Sequence, residues 1–210
     1  MASKILALSV IGLIIGGFFL LFITKELLPK SASSSSYRAS TERIQSFPNG
    51  GTYTDDSLEY SITLPPHWSF SVIPAPEYNI ITAESGPMAL VFEPIAINRG
   101  TGQATLDDFF GTFENFKTLA QQYDALSTEE IRYLSLREAS EGWLGEIPMY
   151  QNIWEVELHE NNEIRIGIEI AQTFIRENIL FSVSILGPRE EQQRMQGELT
   201  SILQTLVQGR

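Results

Sequence analysis

The stretch from Trp154 to Ile170 reads WEVELHENNEIRIGIEI and contains two alternating segments separated by a short polar run. Trp154, Val156 and Leu158 fall on one face of an extended chain, because successive side chains of a strand point to opposite sides. From Ile164 onward, isoleucine occupies every second position. The intervening HENN favours a turn. The sequence therefore predicts an antiparallel strand pair, which we call the central pair.

Further strands are predicted on both sides of this pair. Two of them flank Pro65 and Pro66 and are predicted to form a hairpin with a proline-containing turn. Ala139 to Pro148, with its two glycines, is predicted to be a loop. Four glutamates of the central pair suggest that one sheet face is substantially wet; they are Glu155, Glu157, Glu163 and Glu169. The predicted strands are Leu58–Thr63, Trp68–Ile73, Ile80–Glu84, Met88–Ile97, Ile131–Arg137 and Ile179–Ile185.

Two helices are predicted to pack on this sheet. Thr105 is a favourable N-cap, and the apolar residues that follow at helical spacing extend one stripe to Tyr123. Pro188 fits the first turn of the last helix. Its buried stripe is predicted to be Met195, Leu199, Ile202, Leu203 and Leu206.

The predicted fold class is therefore α+β, because consecutive strands without helical crossovers give an antiparallel sheet. The sheet has an N-terminal hairpin and two packed helices, as an α/β/α or a two-layer sandwich, and one transmembrane helix precedes it. Three segments are predicted: an anchor at 1–28, a serine-rich linker at 29–51 and a single domain at 52–210.

The N-terminal segment is predicted to anchor the chain in a membrane. Ile5 to Thr24 are 20 residues without a charge, and at about 1.5 Å per residue they match a bilayer core of ~30 Å. Gly12 and Gly16 form a GxxxG pair that would let two such helices approach closely. The alternative is a cleaved signal peptide, but its apolar region would be shorter, ~7–15 residues.

The orientation of this anchor is left open by the sequence. A short head before the apolar segment is typical of a signal-anchor and favours an extracytoplasmic domain, in a periplasm or lumen. The positive-inside rule favours the opposite arrangement, because Lys25, Lys30 and Arg38 follow the segment and only Lys4 precedes it. The linker reaches ~25 Å as a flexible chain, so the domain stays near the membrane.

Charge and composition exclude several classes of function. The formal net charge is −12 and the part beyond residue 40 carries −15, so the domain repels phosphate backbones and nucleic-acid binding is not expected. The chain has no cysteine, which excludes disulfides, thiolate metal sites and a cysteine nucleophile. His159 with Glu157 and Glu160 suggests a zinc site only weakly, because zinc needs three or four converging ligands.

No catalytic or cofactor motif is found in the sequence. It lacks a G-x-S-x-G elbow, and Gly100-Thr101-Gly102 lacks the lysine of a P-loop. Of three adjacent acidic pairs, two lie at predicted loop or helix starts, where capping explains them, as for Asp107 and Asp108. We therefore predict that the protein is not an enzyme and binds no metal or cofactor.

Two aromatic residues are the best candidates for contact with a partner. Trp143 lies between glycines, and tryptophan is enriched at the energetic centres of protein interfaces. Tyr150 is nearby in sequence. The competing interpretation is that Trp143 folds back onto the sheet, because large aromatic side chains are usually mostly buried.

The run from Tyr60 to Trp68, YSITLPPHW, together with the order of elements, resembles the PsbP-like superfamily. This group includes the photosystem II extrinsic subunit PsbP, the Ran-binding Mog proteins and many bacterial envelope proteins. His67 stands where glycine is common in the group. The resemblance covers about residues 52–207 and implies an antiparallel sheet with packed helices and non-enzymatic work on membrane complexes.

The sequence is compatible with two functions. The first is a membrane-anchored interaction module, an accessory or assembly subunit of a membrane protein complex. The alternative is an extracytoplasmic module that binds a small ligand in a cleft between the helix at 105–123 and the sheet. An interface there filled by phenylalanine would argue against the alternative.

Overall fold

The computed structural model describes residues 44–75, 78–97, 102–122, 127–128, 130–160 and 163–208. The predicted anchor at 5–24 and its GxxxG pair lie outside these ranges. Within the described ranges, no helix is both long and apolar enough to cross a membrane. The α+β class is confirmed: most of the described chain forms antiparallel strands, with a few helices.

Eight strands form one antiparallel sheet in the order β1-β4-β5-β6-β10-β9-β8-β7, and β2 pairs with β3 in a separate two-stranded sheet. The strands are β1 (Gln45–Phe47), β2 (Gly51–Asp55), β3 (Tyr60–Leu64), β4 (Ser69–Pro74), β5 (Asn79–Ser85), β6 (Met88–Ala96), β7 (Ile131–Leu144), β8 (Ile147–Glu160), β9 (Glu163–Arg176) and β10 (Ile179–Pro188). Within the described ranges the helices are α1 (Leu106–Phe110), α2 (Phe113–Ala120) and α3 (Gln192–Gln208), with a 3-10 turn at Arg189–Glu191.

The predicted central pair is confirmed as β8 and β9, and its register defines two faces of the sheet. Ile153 pairs with Ile170 and Trp154 with Glu169, so odd residues of β8 share a face with even residues of β9. We call this side the α3 face, because the predicted stripe of α3 packs into the same core cluster as Ile153 and Ile170. The opposite side is the α1/α2 face, where Trp154 donates from Nε1 to the carbonyl oxygen of Ala120 over 3.3 Å.

The predicted hairpin between residues 58–63 and 68–73 is wrong. β3 pairs with β2 instead, and β4 pairs with β1 and β5 in the large sheet. The turn after Pro65, closed by a hydrogen bond from Trp68 N to Pro65 O, carries the chain from one sheet to the other. A Cβ on Gly50 would lie 2.3 Å from that carbonyl oxygen, so this crossing requires glycine. β1 extends the folded part upstream of the predicted boundary at residue 52.

The predicted single helix from Thr105 is divided into α1 and α2. Thr105 caps α1 as expected, with a capping box completed by Asp108. Gly111 then adopts a φ of 76°, and Thr112 caps the second helix by accepting from Asn115 N. The helical spacing continues across this break, so both helices still direct their apolar residues to the sheet. Tyr123, the end of the predicted stripe, lies outside the described residues.

The predicted loop from Ala139 to Pro148 is also wrong. β7 continues to Leu144, and a two-residue turn at Gly145 and Glu146 leads directly into β8. Gly145 has a φ of 64°, a conformation that glycine adopts without strain. The long hairpin of β7 and β8 therefore projects well past the residues predicted to end the strand.

The predicted wet face is not found as one face. Glu155 and Glu157 lie on the α3 face, whereas Glu169 lies on the α1/α2 face and is buried. The alternating pattern shows only that each glutamate points away from the apolar residues next to it in the strand. Strand register and helix packing decide which of these glutamates is exposed to solvent.

Candidate functional site

Trp143 lies near the end of β7, beside the turn at Gly145, and its side chain is 70% exposed. It does not fold back onto the sheet, so the competing interpretation of this residue is wrong. Its cross-strand neighbour is Pro148, which is also exposed. Among the described residues it is the most exposed large hydrophobic side chain.

Tyr150 lies on β8 and is buried beneath α1 and α2. Its ring lies 4.8 Å from Phe116, 5.2 Å from Phe113 and 6.0 Å from Phe110, measured between centroids. Its hydroxyl donates a hydrogen bond of 2.9 Å to Oδ1 of Asp107 at the start of α1. Tyr150 therefore joins the helix pair to the hairpin and does not itself offer a free surface.

Register places the two predicted contact residues on the same face of the hairpin. Trp143 pairs with Pro148, and Tyr150 pairs with Glu141. Trp143 and Tyr150 are thus diagonal neighbours, a relation that puts residues about 7–8 Å apart. The structure brings them together, but with different surroundings: Trp143 faces solvent, and Tyr150 lies under the helix pair.

Carboxylates surround this aromatic pair. Burial, the hydrogen bond to Asp107 and the charges of Asp107 and Glu141 raise the pKa of Tyr150 to about 12. Asp107, Asp108 and Glu141 are exposed, and so is Glu146 in the turn. We define the acidic aromatic patch as Trp143, Pro148, Tyr150, Asp107 and Glu141.

The predicted ligand cleft between the helices and the sheet is occupied by the protein's own side chains. Phe110, Phe116, Tyr150 and Leu180 form a buried cluster there, and Phe109 and Phe113 pack against it. This is the phenylalanine-filled interface that argues against a ligand site in that position.

A second feature of the α1/α2 face was not predicted from the sequence. Glu93 is 2% exposed, and burial raises the pKa of its carboxyl group to about 8. Among the described residues, Glu93 Oε1 and Asn152 Oδ1 are buried without a hydrogen-bond partner. The sequence feature that could have indicated this buried carboxyl group is the single acidic residue within the apolar run of β6, MALVFEPIA.

Glu169 is a second buried carboxyl group on this face, and it does have partners. It accepts a hydrogen bond from the hydroxyl of Tyr133, and Ser184 also bonds to it. Burial raises the pKa of Glu169 in spite of these hydrogen bonds, and it raises that of Tyr133 too, together with the neighbouring charge of Glu169.

The histidines do not form a metal centre in the part of the chain that is described. His159 Nε2 lies 3.5 Å from Glu157, and His67 Nε2 lies 2.9 Å from Oε1 of Glu198. No group of three or more His, Asp or Glu side chains among the described residues is placed to hold a metal ion. His67 and the Trp68 indole, which donates to Glu198, fix the start of β4 to α3.

No family model and no curated protein matches the chain. Among solved structures it is similar to cyanobacterial PsbP (CyanoP) from Synechocystis sp. PCC 6803, with a TM-score of 0.53 and 11% identity over 85% of this chain and 98% of that one. The Ran-binding protein Mog1p of Saccharomyces cerevisiae gives a TM-score of 0.38 at 10% identity, over 77% and 94% of the two chains. LpqN of Mycobacterium tuberculosis, which is involved in cell envelope biogenesis, gives 0.32 at 12%, over 83% and 95%. The first match shows a PsbP-like fold, as the resemblance of Tyr60–Trp68 predicts.

Proposed function

We propose that this protein is a non-enzymatic docking module, held at a membrane by its N-terminal segment, that serves as an accessory or assembly subunit of a membrane protein complex. The observation that carries the proposal is Trp143, exposed beside the turn of the β7–β8 hairpin with exposed carboxylates near it. A tryptophan with two stiff torsions contributes much apolar contact at little entropic cost, which is why it dominates many interfaces.

The patch selects for a partner segment that is both basic and apolar. An arginine of the partner stacks on the face of Trp143 and pairs with Glu141 or Asp107, two interactions that reinforce each other. Pro148 beside Trp143 offers a flat apolar surface for an adjoining aliphatic side chain. A second copy of this domain is disfavoured as the partner, since it would place acidic residues against acidic residues.

The membrane tether rests on the sequence. The uncharged segment from Ile5 to Thr24 is long enough to cross a bilayer, and the serine-rich linker keeps the domain within about 25 Å of it. We place the domain on the extracytoplasmic side. Protease treatment of sealed right-side-out and inside-out vesicles tests this placement. Digestion of the domain only in right-side-out vesicles supports the extracytoplasmic side, and digestion only in inside-out vesicles contradicts it.

The docking function is tested by affinity purification of the full-length protein from membranes in mild non-ionic detergent. We expect a stoichiometric membrane partner with the wild type and at least a tenfold lower recovery with Trp143→Ala. Ile164→Ala is the matched control, since Ile164 is 64% exposed but lies on β9, on the α3 face, opposite the end of β8 that is far from Trp143. Equal recovery with wild type and Trp143→Ala contradicts the proposal.

A further inference from the structure

The two edges of the eight-stranded sheet differ greatly in length. β1, at one edge, has three residues and is followed by Pro48, which has no N–H group to offer a further strand. β7, at the other edge, has 14 residues, and among the described strands it pairs only with β8. An unpaired strand edge is a template for another extended chain, and folded proteins usually keep such edges short or distorted. The long edge of β7 therefore requires an explanation.

The protein's own chain covers the first part of this edge. Tyr133 N donates a hydrogen bond of 3.1 Å to Ser127 Oγ, and the two register shifts of β7 against β8 both lie before Glu138. From Glu138 to Leu144 the register with β8 is unbroken. We call this regular stretch, residues 138–144, the open edge.

Pro148 shows which backbone groups of the open edge point away from β8. It pairs with Trp143 and has no N–H group, so this pair is a non-hydrogen-bonded pair of the antiparallel ladder. Bonded and non-bonded pairs alternate along such a ladder, so Glu141 and Ala139 also belong to non-bonded pairs. The N–H and C=O groups of Ala139, Glu141 and Trp143 therefore point off the sheet.

The side chains of the open edge are acidic on both faces of the sheet. Glu141 and Trp143 lie on the α1/α2 face, and Glu138 lies on the α3 face. All three are exposed, as is Glu146 in the turn that follows. The sequence has no lysine or arginine between Glu138 and Pro148. A strand added at this edge therefore meets carboxylates whichever way its side chains point.

We propose that the open edge binds an extended basic segment of the partner, which adds to the sheet as an additional strand antiparallel to β7. The inference rests on the docking function proposed above and specifies how the partner is bound. Antiparallel addition continues the pattern of the sheet and gives the more stable pairing per residue. Main-chain hydrogen bonds supply affinity in this mode of recognition, and alternate side chains supply specificity.

Every second residue of the bound segment lies opposite Ala139, Glu141 or Trp143. Its backbone N–H and C=O groups bond to the outward groups of β7, and its side chain lies on the α1/α2 face. An arginine in these positions pairs with the Glu141 carboxylate and stacks on the Trp143 ring. The acidic aromatic patch and the open edge are therefore read by the same residues of the partner.

Charge favours this occupant over a second copy of the domain. Full antiparallel overlap of two open edges would set Glu141 directly against Glu141 of the other copy. Like charges directly opposite each other destabilise a strand pair, whereas opposite charges stabilise it.

Amide hydrogen exchange of the full-length protein in non-ionic detergent tests the proposal with a defined probe. The probe is an acetylated and amidated peptide of alternating arginine and valine, as long as the open edge. We expect saturable binding that slows exchange at Ala139, Glu141 and Trp143 and leaves Gly142, which already bonds to β8, unchanged. No saturable binding at millimolar peptide, or binding without protection of these three amides, overturns the proposal.

Two methylated peptides of equal charge are the matched probes. Methyl groups on the arginine nitrogens face β7 and should weaken binding at least about tenfold, because they block the main-chain hydrogen bonds. Methyl groups on the valine nitrogens point away from β7 and should change the affinity by less than about twofold. Equal weakening by both methylations, or the reverse order, contradicts antiparallel strand addition.

Exchange measured without peptide tests the other occupants of the edge. We expect the amides of Ala139, Glu141 and Trp143 to exchange rapidly at every protein concentration. Protection that rises with protein concentration would identify a second copy, and protection at all concentrations would identify the chain's own N-terminal segment. Either result overturns the proposal.

Variants at residue 139 separate strand addition from docking as such. Ala139→Pro removes one outward N–H group, a change that an edge strand tolerates, and Ala139→Ser retains that group as the matched control. In affinity purification from membranes, we expect Ala139→Pro to lower partner recovery at least about tenfold and Ala139→Ser to leave it unchanged. If Trp143→Ala loses the partner and a folded Ala139→Pro retains it, the docking function stands and strand addition is overturned. Full recovery with both Trp143→Ala and Ala139→Pro contradicts the docking function itself.

Discussion

Alternate residues of β9 and β10 meet two different environments. On the α3 face, Ile168, Ile170 and Phe174 of β9 are completely buried in one apolar core. On the α1/α2 face, the intervening positions of the same strands carry serine, threonine, alanine and the buried Glu169. The α3 face therefore packs into the largest apolar core, whereas the α1/α2 face combines two smaller apolar clusters with buried polar groups.

The largest expected effect lies on the α3 face. Phe174→Ala removes a fully buried ring that stacks on Phe181 at 5.1 Å between centroids. Lost burial and the cavity together cost about 3–5 kcal/mol of unfolding free energy. Thr173→Ala, next in the chain but on the opposite face, removes only a hydroxyl and a methyl group from a buried position and should cost less, about 1–2 kcal/mol. Chemical denaturation measures both, and equal costs would remove the distinction between the faces.

The next effect is the pH dependence contributed by Glu93. Burial raises its pKa from 4.5 to about 8 in the folded state, so the folded protein holds a proton that the unfolded chain has released. Stability should therefore fall as the pH rises from about 4.5 to 8, by an amount on the order of a few kcal/mol.

Unfolding free energies measured across this pH range for the wild type and for Glu93→Gln check the assignment. The variant has no proton to lose and should show a flatter profile, whereas Glu190→Gln should retain the wild-type slope. An unchanged slope in Glu93→Gln would show that another group causes the dependence.

Tyr133→Phe tests the hydrogen-bonded part of the α1/α2 face. The change deletes the hydroxyl that donates to buried Glu169 and leaves this carboxyl group with Ser184. Leaving a buried acceptor short of a donor costs about 1–3 kcal/mol. Thermal unfolding of this variant is compared with that of Tyr53→Phe. We expect the control to lose less stability, because the carboxyl group of Asp55, to which Tyr53 donates, keeps several other donors. A smaller loss in Tyr133→Phe than in Tyr53→Phe would contradict this reading.

Trp143→Ala is expected to have the smallest effect on stability. Its side chain is 70% exposed, so its removal should change the unfolding free energy by no more than about 0.5 kcal/mol. Denaturant titration of this variant beside Leu144→Ala, whose side chain is buried in the main core, separates surface from core at adjacent positions. A cost above about 1.5 kcal/mol for Trp143→Ala would mean that the residue serves the fold.

The sequence was sufficient where a single local pattern decides the structure. The stripe from Met195 to Leu206 identifies the buried side of α3, and the alternating isoleucines identify one face of β9, of which Ile168 and Ile170 are buried while Ile164 and Ile166 stay exposed. Pro65 and Pro66 led to the wrong hairpin prediction, since a proline turn shows where a strand ends but not which strand will pair with it. Gly142 and Gly145 suggested a loop around Trp143, whereas a strand accommodates the first glycine and a two-residue turn uses the second.

The buried polar groups could not be predicted from the sequence, for a different reason. Glu93 and Asn152 are far apart in sequence, and only the order β6-β10-β9-β8 brings them onto the same face of one sheet, in neighbouring cross-strand rows. Their neighbours, and therefore their lack of partners, are properties of sheet topology. The exposure of Trp143 likewise depends on where the helix pair ends above the hairpin.

Photo-crosslinking in intact cells tests the docking role of the α1/α2 face most directly. A photoreactive amino acid replaces Pro148, beside Trp143, and in a second strain it replaces Ile164 on the α3 face. The docking account predicts a discrete crosslinked membrane partner from position 148, lost when Trp143→Ala is added, and none from position 164. The same partner from both positions, or persistence of the crosslink in Trp143→Ala, would contradict it.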